Sequence, residues 1–121
     1  MAEVKYKNFR LMVNGPATVG DDLKAQIIRQ KLDAAYQADN NPGFWSLFSD
    51  LCSQTEARGL PFEPEHLHEK TQAEIVAAYQ SFLTLPKRLK DLWAAELYRL
   101  NADIDETIGE QPLPQGADPN V

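Results

Sequence analysis

The sequence predicts an all-α domain in which about four main helices form a small bundle, preceded by a short β element and followed by a disordered acidic tail. Apolar residues recur at helical spacing in four segments, and clusters of Pro, Gly and Asn separate those segments. Residues 103–121 carry five acids, three prolines and two glycines but no Lys or Arg. We therefore expect a single helical domain over residues 1–102, with residues 1–20 as a strand-and-turn lead-in, and a flexible tail over residues 103–121.

The composition is typical of a soluble protein with one core. The chain has 121 residues, of which 43% are hydrophobic and 25% charged, and the tail supplies most of the net charge of −6. No stretch approaches the roughly 18 apolar residues that cross a bilayer, and the N-terminal sequence lacks the apolar core of a secretory signal. A single cysteine, Cys52, cannot form an internal disulfide, as is typical of reducing compartments. We expect a cytoplasmic protein with no membrane partner.

The lead-in contains the sequence KYKNFRLMVNG, which is typical of a strand that runs into a turn. Phe9, Leu11 and Val13 alternate with other residues, and an Asn-Gly pair follows at residues 14–15. A hairpin with residues 17–19 is one outcome, but Pro16 disfavours a long second strand because proline lacks a ladder donor.

The first helix is expected to begin at Asp21 or Asp22, which are good N-caps, and to end near Ala38. Its apolar residues fall on two sides. One side holds Ile28, Leu32, Ala35 and Tyr36, and the other holds Leu23, Ile27, Ala34 and Ala38. A helix with two apolar sides is either enclosed by the core or shared with a partner.

A second helix is expected from Pro42 to Gly59, because proline suits the first turn of a helix and glycine suits its C-terminal end. One side of this segment is apolar and rich in aromatic rings. It comprises Phe44, Trp45, Leu47, Phe48, Leu51, Cys52 and Thr55. This side should form an aromatic wall of the core.

A capping box of Thr71 and Glu74 opens the third helix, and Pro86 separates it from the fourth. The apolar face of the fourth helix comprises Leu89, Leu92, Trp93, Leu97 and Leu100, and a smaller second stripe comprises Ala94, Ala95 and Tyr98. Trp93 should therefore face the core. The opposite face carries Lys87, Arg88 and Lys90, which crowd the first turn although the helix dipole disfavours cations there.

Residues that often carry chemistry are scattered along the chain. His66 and His68 lie two positions apart, without the companion ligands of a zinc site. Cys52 lies on an apolar helix side without a histidine base, and an ion pair at the rim of the core is the common outcome for Glu96, which falls within an apolar arc. We therefore predict a protein that is not an enzyme, with no catalytic residue, no cofactor and no metal site.

Residues 44–101 resemble the middle and C-terminal part of tail assembly chaperones of long-tailed (siphovirus-type) bacteriophages. An aromatic helix around Trp45 precedes a connector of the form G-x-P-x-x-x-E-x-L, and a Leu-Pro break at residues 85–86 leads into the last helix. The connector residues are Gly59, Pro61, Glu65 and Leu67. The resemblance implies a mostly helical protein that binds unassembled tail tube and tape measure proteins in the host cytoplasm and keeps them soluble. It also implies no catalysis and absence from the finished virion.

The residues themselves offer candidate partner-binding surfaces, namely the spare apolar stripes and the basic turn. These candidates are Leu23, Ile27, Ala94, Ala95, Tyr98, Lys87, Arg88 and Lys90. Client proteins or a second copy of the chain could use such surfaces, unless the monomer covers the stripes itself. The alternative is a small helical nucleic-acid-binding regulator that combines the same bases with Lys5, Lys7 and Arg10. The inward-facing Trp93 disfavours nucleic acid, because no aromatic ring then accompanies the bases.

Overall fold

The fold is mixed α/β, so the predicted all-α class is wrong. The computed structural model describes residues 2–36 and 42–109, and this part of the chain contains four α-helices, a 3₁₀ helix and a three-stranded antiparallel sheet. The strands are β1 (Ala2–Tyr6), β2 (Phe9–Val13) and β3 (Thr55–Arg58). The helices are α1 (Val19–Tyr36), α2 (Pro42–Ser53), the 3₁₀ helix (Pro64–Glu69), α3 (Gln72–Phe82) and α4 (Lys87–Gly109).

β1 and β2 form a hairpin, and its turn falls inside the segment from residue 5 that was predicted as a single strand. Lys7 and Asn8 make its two-residue turn, and Lys7 has a φ of 55°. This pair is not one of the Asn-Gly or Asp-Gly dipeptides that mark such a turn in a sequence, which is why the prediction missed it. The hairpin with residues 17–19 does not form, because α1 already begins at Val19.

β3 lies where the sequence predicts the last turns of the second helix, so the predicted helix end at Gly59 is wrong. α2 ends at Ser53, and the following strand pairs antiparallel with β2 over its whole length. β2 lies about forty residues earlier in the chain and supplies the backbone hydrogen-bond partners of β3. A continued helix would instead have found these partners among neighbouring residues. Gly59 instead follows β3 with a φ of 90°, a conformation that favours glycine.

The core lies between the sheet and the helices. Val4, Leu11 and Val13 point inward from the strands, α4 packs on β1 and β2, and α1 packs on α2 and α3. The largest fully buried side chains of the core are Trp45, Trp93, Phe48, Leu11, Ile28, Leu32, Leu51, Ile75, Leu89 and Leu97. The predictions of an aromatic wall on α2 and of an inward-facing Trp93 are therefore confirmed.

α1 begins earlier than the sequence predicts, because Thr18 and not an aspartate caps it. The Asp21 amide donates to the Thr18 hydroxyl at 3.1 Å, and the Thr18 amide donates to the Asp21 carboxylate at 3.0 Å. This is a capping box with Asp in place of Glu. Its consequence is that Val19 belongs to the helix.

α3 begins at the predicted capping box. The Glu74 amide donates to the Thr71 hydroxyl at 3.2 Å, and the Thr71 amide donates to the Glu74 carboxylate at 3.0 Å. Thr71→Ala is expected to lower the free energy of unfolding by about 1 kcal/mol, because the first turn of the helix loses its cap. Urea denaturation, monitored by circular dichroism, measures this loss. An equal loss in Gln80→Ala, at an exposed position of the same helix, would contradict the assignment to the cap.

α4 continues past residue 103, where the tail is predicted to begin, and ends at Gly109. Of the flexible tail predicted over residues 103–121, residues 110–121 fall outside the described residues.

Candidate protein-binding surfaces

An apolar stripe runs along the solvent-facing side of α1. Val19, Leu23 and Ile27 follow one another at intervals of four residues, and their side chains are 80%, 55% and 38% exposed. We call these three residues the α1 stripe. Residues four apart lie next to each other on a helix surface, so the three side chains form a continuous apolar strip.

The opposite side of α1 accounts for the exposure of the stripe. Ala25, Ile28 and Leu32 are buried against α2 and α3, so the packed side of the helix points away from the stripe. Of the two apolar sides predicted for this helix, one is therefore covered and the other is free. Ala35, predicted on the covered side, is exposed, and Ala38 falls outside the described residues.

The second stripe, on α4, is only partly exposed. Tyr98 is 62% exposed and Ala95 is exposed, whereas Ala94 packs against the core. The Ala17 amide donates to the side-chain oxygen of Asn101 at 2.9 Å, and Asn101 lies one helical turn beyond Tyr98. This bond brings the chain just before Val19 to the part of α4 that carries Tyr98. The start of α1 is therefore tied to α4 near the residues of the second stripe.

A carboxylate accompanies the bases in the first turn of α4. Lys87 Nζ lies 2.7 Å and Lys90 Nζ lies 2.8 Å from the carboxylate oxygens of Asp91, while Arg88 is exposed. Hydrogen bonds from Lys87 and then Lys90 lower the pKa of Asp91 to about 2. Asp91 thus offsets part of the charge that the sequence places at this unfavourable end of the helix dipole.

The lowered pKa of Asp91 predicts that its contribution to the stability of the fold changes only at acidic pH. A carboxyl whose pKa is lower in the folded than in the unfolded protein stabilises the fold above its ordinary pKa of 3.8, and this stabilisation is lost as the pH falls through about 2. An NMR titration of the Asp91 side-chain carboxyl should therefore give a midpoint near 2. Lys87→Gln should move the midpoint toward 3.8, and Lys70→Gln should leave it unchanged. A midpoint of 3.8 in the unmodified protein would contradict the contact.

The N-terminal Lys and Arg residues, on which the nucleic-acid-binding alternative depends, lie among acidic residues. Arg10 Nη2 is 2.7 Å from Glu3 Oε2, and the outer face of the sheet also carries Glu56 opposite Met12. Lys7 lies over the Tyr6 ring at 5.4 Å. The outer face of the sheet is therefore of mixed charge, and these bases form no continuous basic patch on it.

The remaining candidates for chemistry lie in ordinary surroundings. His66 and His68 both lie near the exposed Glu69, at 3.6 Å and 3.7 Å, and the described residues contain no group of side chains that could hold a metal ion. Burial, followed by the nearby Glu65, raises the pKa of Cys52 well above its ordinary value. Glu96 accepts hydrogen bonds from Arg99, which is the rim ion pair expected from the sequence.

A mixed-charge cavity of about 430 Å³ lies on the outer face of the sheet and was not predicted. Glu3, Arg10 and Arg58 line it, and Glu65 contributes a buried Oε1 that accepts no hydrogen bond from the described residues. Glu65 reaches this place because the 3₁₀ helix packs against β3. The sequence gives no sign of the cavity, since β3 itself was not predicted.

Sequence reasoning also missed Val19, the most exposed member of the α1 stripe. The signal was present, because Thr18 and Asp21 stand at the spacing of a capping box and would have started the helix at Val19. The prediction took the two aspartates as caps and so placed Val19 before the helix.

Comparison with known proteins identifies no relative from which a function could be transferred. No protein-family model matches the chain, and neither a curated protein nor a solved structure gives a significant match. Within the described residues, no helix combines the length and the apolar character needed to span a membrane.

Proposed function

We propose that the chain is a non-catalytic protein-interaction protein that acts as a tail assembly chaperone of a long-tailed bacteriophage. In this role it binds tail tube and tape measure proteins in the host cytoplasm before they assemble. The α1 stripe is the observation that carries the proposal. A chaperone needs apolar surface that a folded domain leaves open, and the stripe offers three such side chains on a well-packed helix.

The α4 surface adds a second contact region next to the first. Tyr98 presents a large ring with a hydroxyl, a residue type that is enriched at protein interfaces. The Ala17–Asn101 hydrogen bond ties the chain just before α1 to α4, which supports one client using both regions. A second copy of the chain could use the same apolar surface, which would give a homo-oligomer.

The nucleic-acid alternative has weaker support. Asp91 takes up part of the charge of Lys87 and Lys90, and Glu3 pairs with Arg10. Among the described residues, Tyr6 lies beside Lys7, and Phe44 and Phe82 line a cavity with Lys87 and Lys90. All three rings are at least partly buried, which disfavours stacking on nucleobases. A protein-binding role needs no such patch and uses the apolar residues that the fold leaves exposed.

The test is co-expression with the tail tube protein and the tape measure protein of the long-tailed phage to which the proposal assigns the chain. The full chain is expected to co-purify with at least one of them and to raise its soluble fraction. Leu23→Asp should lose this effect, while Ala35→Asp, at an exposed position off the stripe, should keep it. Failure of the unmodified chain to bind or solubilise either protein would overturn the proposal.

A further inference from the structure

An apolar cavity opens at the corner between α3 and α4. Its volume is about 310 Å³, and its walls are Phe44 from α2, Phe82 at the end of α3, and Leu83 and Leu85 from the connection. Leu83 is 52% exposed at the mouth, so the apolar lining continues onto the surface. This size lies at the lower end of the range for ligand pockets and suits one or two apolar side chains.

The same cavity has a cationic rim. Lys87 and Lys90 line it, and the exposed Arg88 lies between them in the sequence. Asp91 is the carboxylate that contacts both lysines. Each ammonium group has three N–H donors, so a bond to Asp91 leaves donors free on both lysines. The two lysines against one carboxylate leave a net positive rim beside the apolar cavity.

This combination selects the chemistry of an occupant. Apolar walls favour an aliphatic or aromatic side chain, and the free ammonium donors favour a carboxylate within a few ångströms of it. We propose that the corner cavity binds a partner segment in which a Leu or Phe side chain stands beside Asp or Glu. This inference rests on the proposed function, because it assigns a chemistry to a segment of the client protein.

The geometry separates this cavity from the α1 stripe. The stripe is a row of apolar side chains on a helix surface, whereas the corner cavity is an apolar recess with charge at one side. A client could therefore bring one acidic, apolar segment to the corner and cover the α1 stripe with another part of its surface. The two surfaces make separable contributions to binding, because they share no residue.

The experiment uses the full chain and a synthetic probe, acetyl-Asp-Leu-Phe-Asp-amide, whose blocked ends carry no charge. In an amide NMR titration, the probe should shift signals of Phe44, Leu83 and Lys90 and leave those of the α1 stripe unchanged. The matched probe with Asn in place of both Asp residues should bind about tenfold more weakly, because it lacks the charge-assisted hydrogen bonds. A probe with Ser in place of Leu and Phe should show no saturable binding.

Two variants at exposed positions locate the site on the protein. Lys87→Gln should weaken the binding of the probe several-fold, and Leu83→Ser should weaken it through the apolar wall. Lys5→Gln, on the exposed outer face of the sheet, should have no effect. Equal affinity for the Asp and Asn probes, or tighter binding of octanoate or of a single-stranded oligonucleotide at the same signals, would overturn the inference.

The outcome is distinguishable from failure of the proposed function. If the corner cavity does not bind the probe but the chain still solubilises a tail protein, this inference is wrong and the proposed function stands. If the probe binds with the expected selectivity but no tail protein is solubilised, the cavity is supported and the tail assembly role is wrong.

Discussion

Replacing Trp93 by alanine is expected to lower the free energy of unfolding by about 3–5 kcal/mol, because the missing ring leaves a cavity in the core. The side chain is fully buried, and its ring meets Phe82 nearly edge-on at 6.1 Å. The indole Nε1 also donates to the Thr55 hydroxyl at 2.9 Å, which ties α4 to β3. Losing that donor leaves a buried hydroxyl unpaired, at a further cost of about 1–3 kcal/mol.

This loss is large against the total stability of a small domain, which is about 5–15 kcal/mol. Trp93→Ala should therefore be mostly unfolded at moderate urea concentrations at which the unmodified chain is folded, as followed by circular dichroism. Trp93→Phe keeps most of the volume and should show mainly the hydrogen-bond part of the loss. Tyr98→Ala, at an exposed position of the same helix, serves as the control. If it costs as much as Trp93→Ala, the described packing of α4 is wrong.

Replacing Leu23 and Ile27 together by aspartate is expected to abolish partner binding while the domain stays folded. Interface residues at the centre of an apolar contact each contribute about 2 kcal/mol or more when they are hot spots, so the combined loss should exceed about a hundredfold in affinity. Leu23 is more than half exposed, and substitutions at such surface positions change stability by only about 0.5 kcal/mol. Ile27 is less exposed and should account for most of any loss in stability.

The measurement pairs a binding titration with urea denaturation of the same variant. Ala35→Asp adds a carboxylate to an exposed position of the same helix away from the stripe and controls for charge. Tyr98→Asp should weaken binding as well if the exposed Tyr98 ring forms part of the same contact. If the double variant unfolds as readily as Trp93→Ala, the α1 stripe belongs to the core and is not a binding surface.

The helices could be predicted where their signals are local. The Thr71 capping box marks the start of α3 within a few residues of sequence, and Pro86 separates α3 from α4 by its own ring geometry. The inward face of α4 followed from the spacing of Trp93 and the leucines around it. None of these features needs knowledge of a distant part of the chain.

The sheet could not be predicted as well, because its pairing is not local. β3 consists of Thr55–Arg58, a segment whose apolar spacing continues that of α2, and only the partner strand β2 makes it extended. The corner cavity could not be predicted for the same reason, because Phe44 and Leu83 meet there from elements far apart in the sequence. The stripe residues Leu23 and Ile27 were identified from spacing, but only the packing of α1 decides that they face solvent.

The most direct test of the account is methyl NMR of the full chain during addition of a client protein identified by co-purification. We predict that the methyl signals of Val19, Leu23 and Ile27 shift or broaden on binding, while those of the buried Ile28 and Leu32 on the opposite side of α1 change little. A bound client that leaves the three stripe signals unchanged would contradict the claim that this exposed side of α1 is the binding surface.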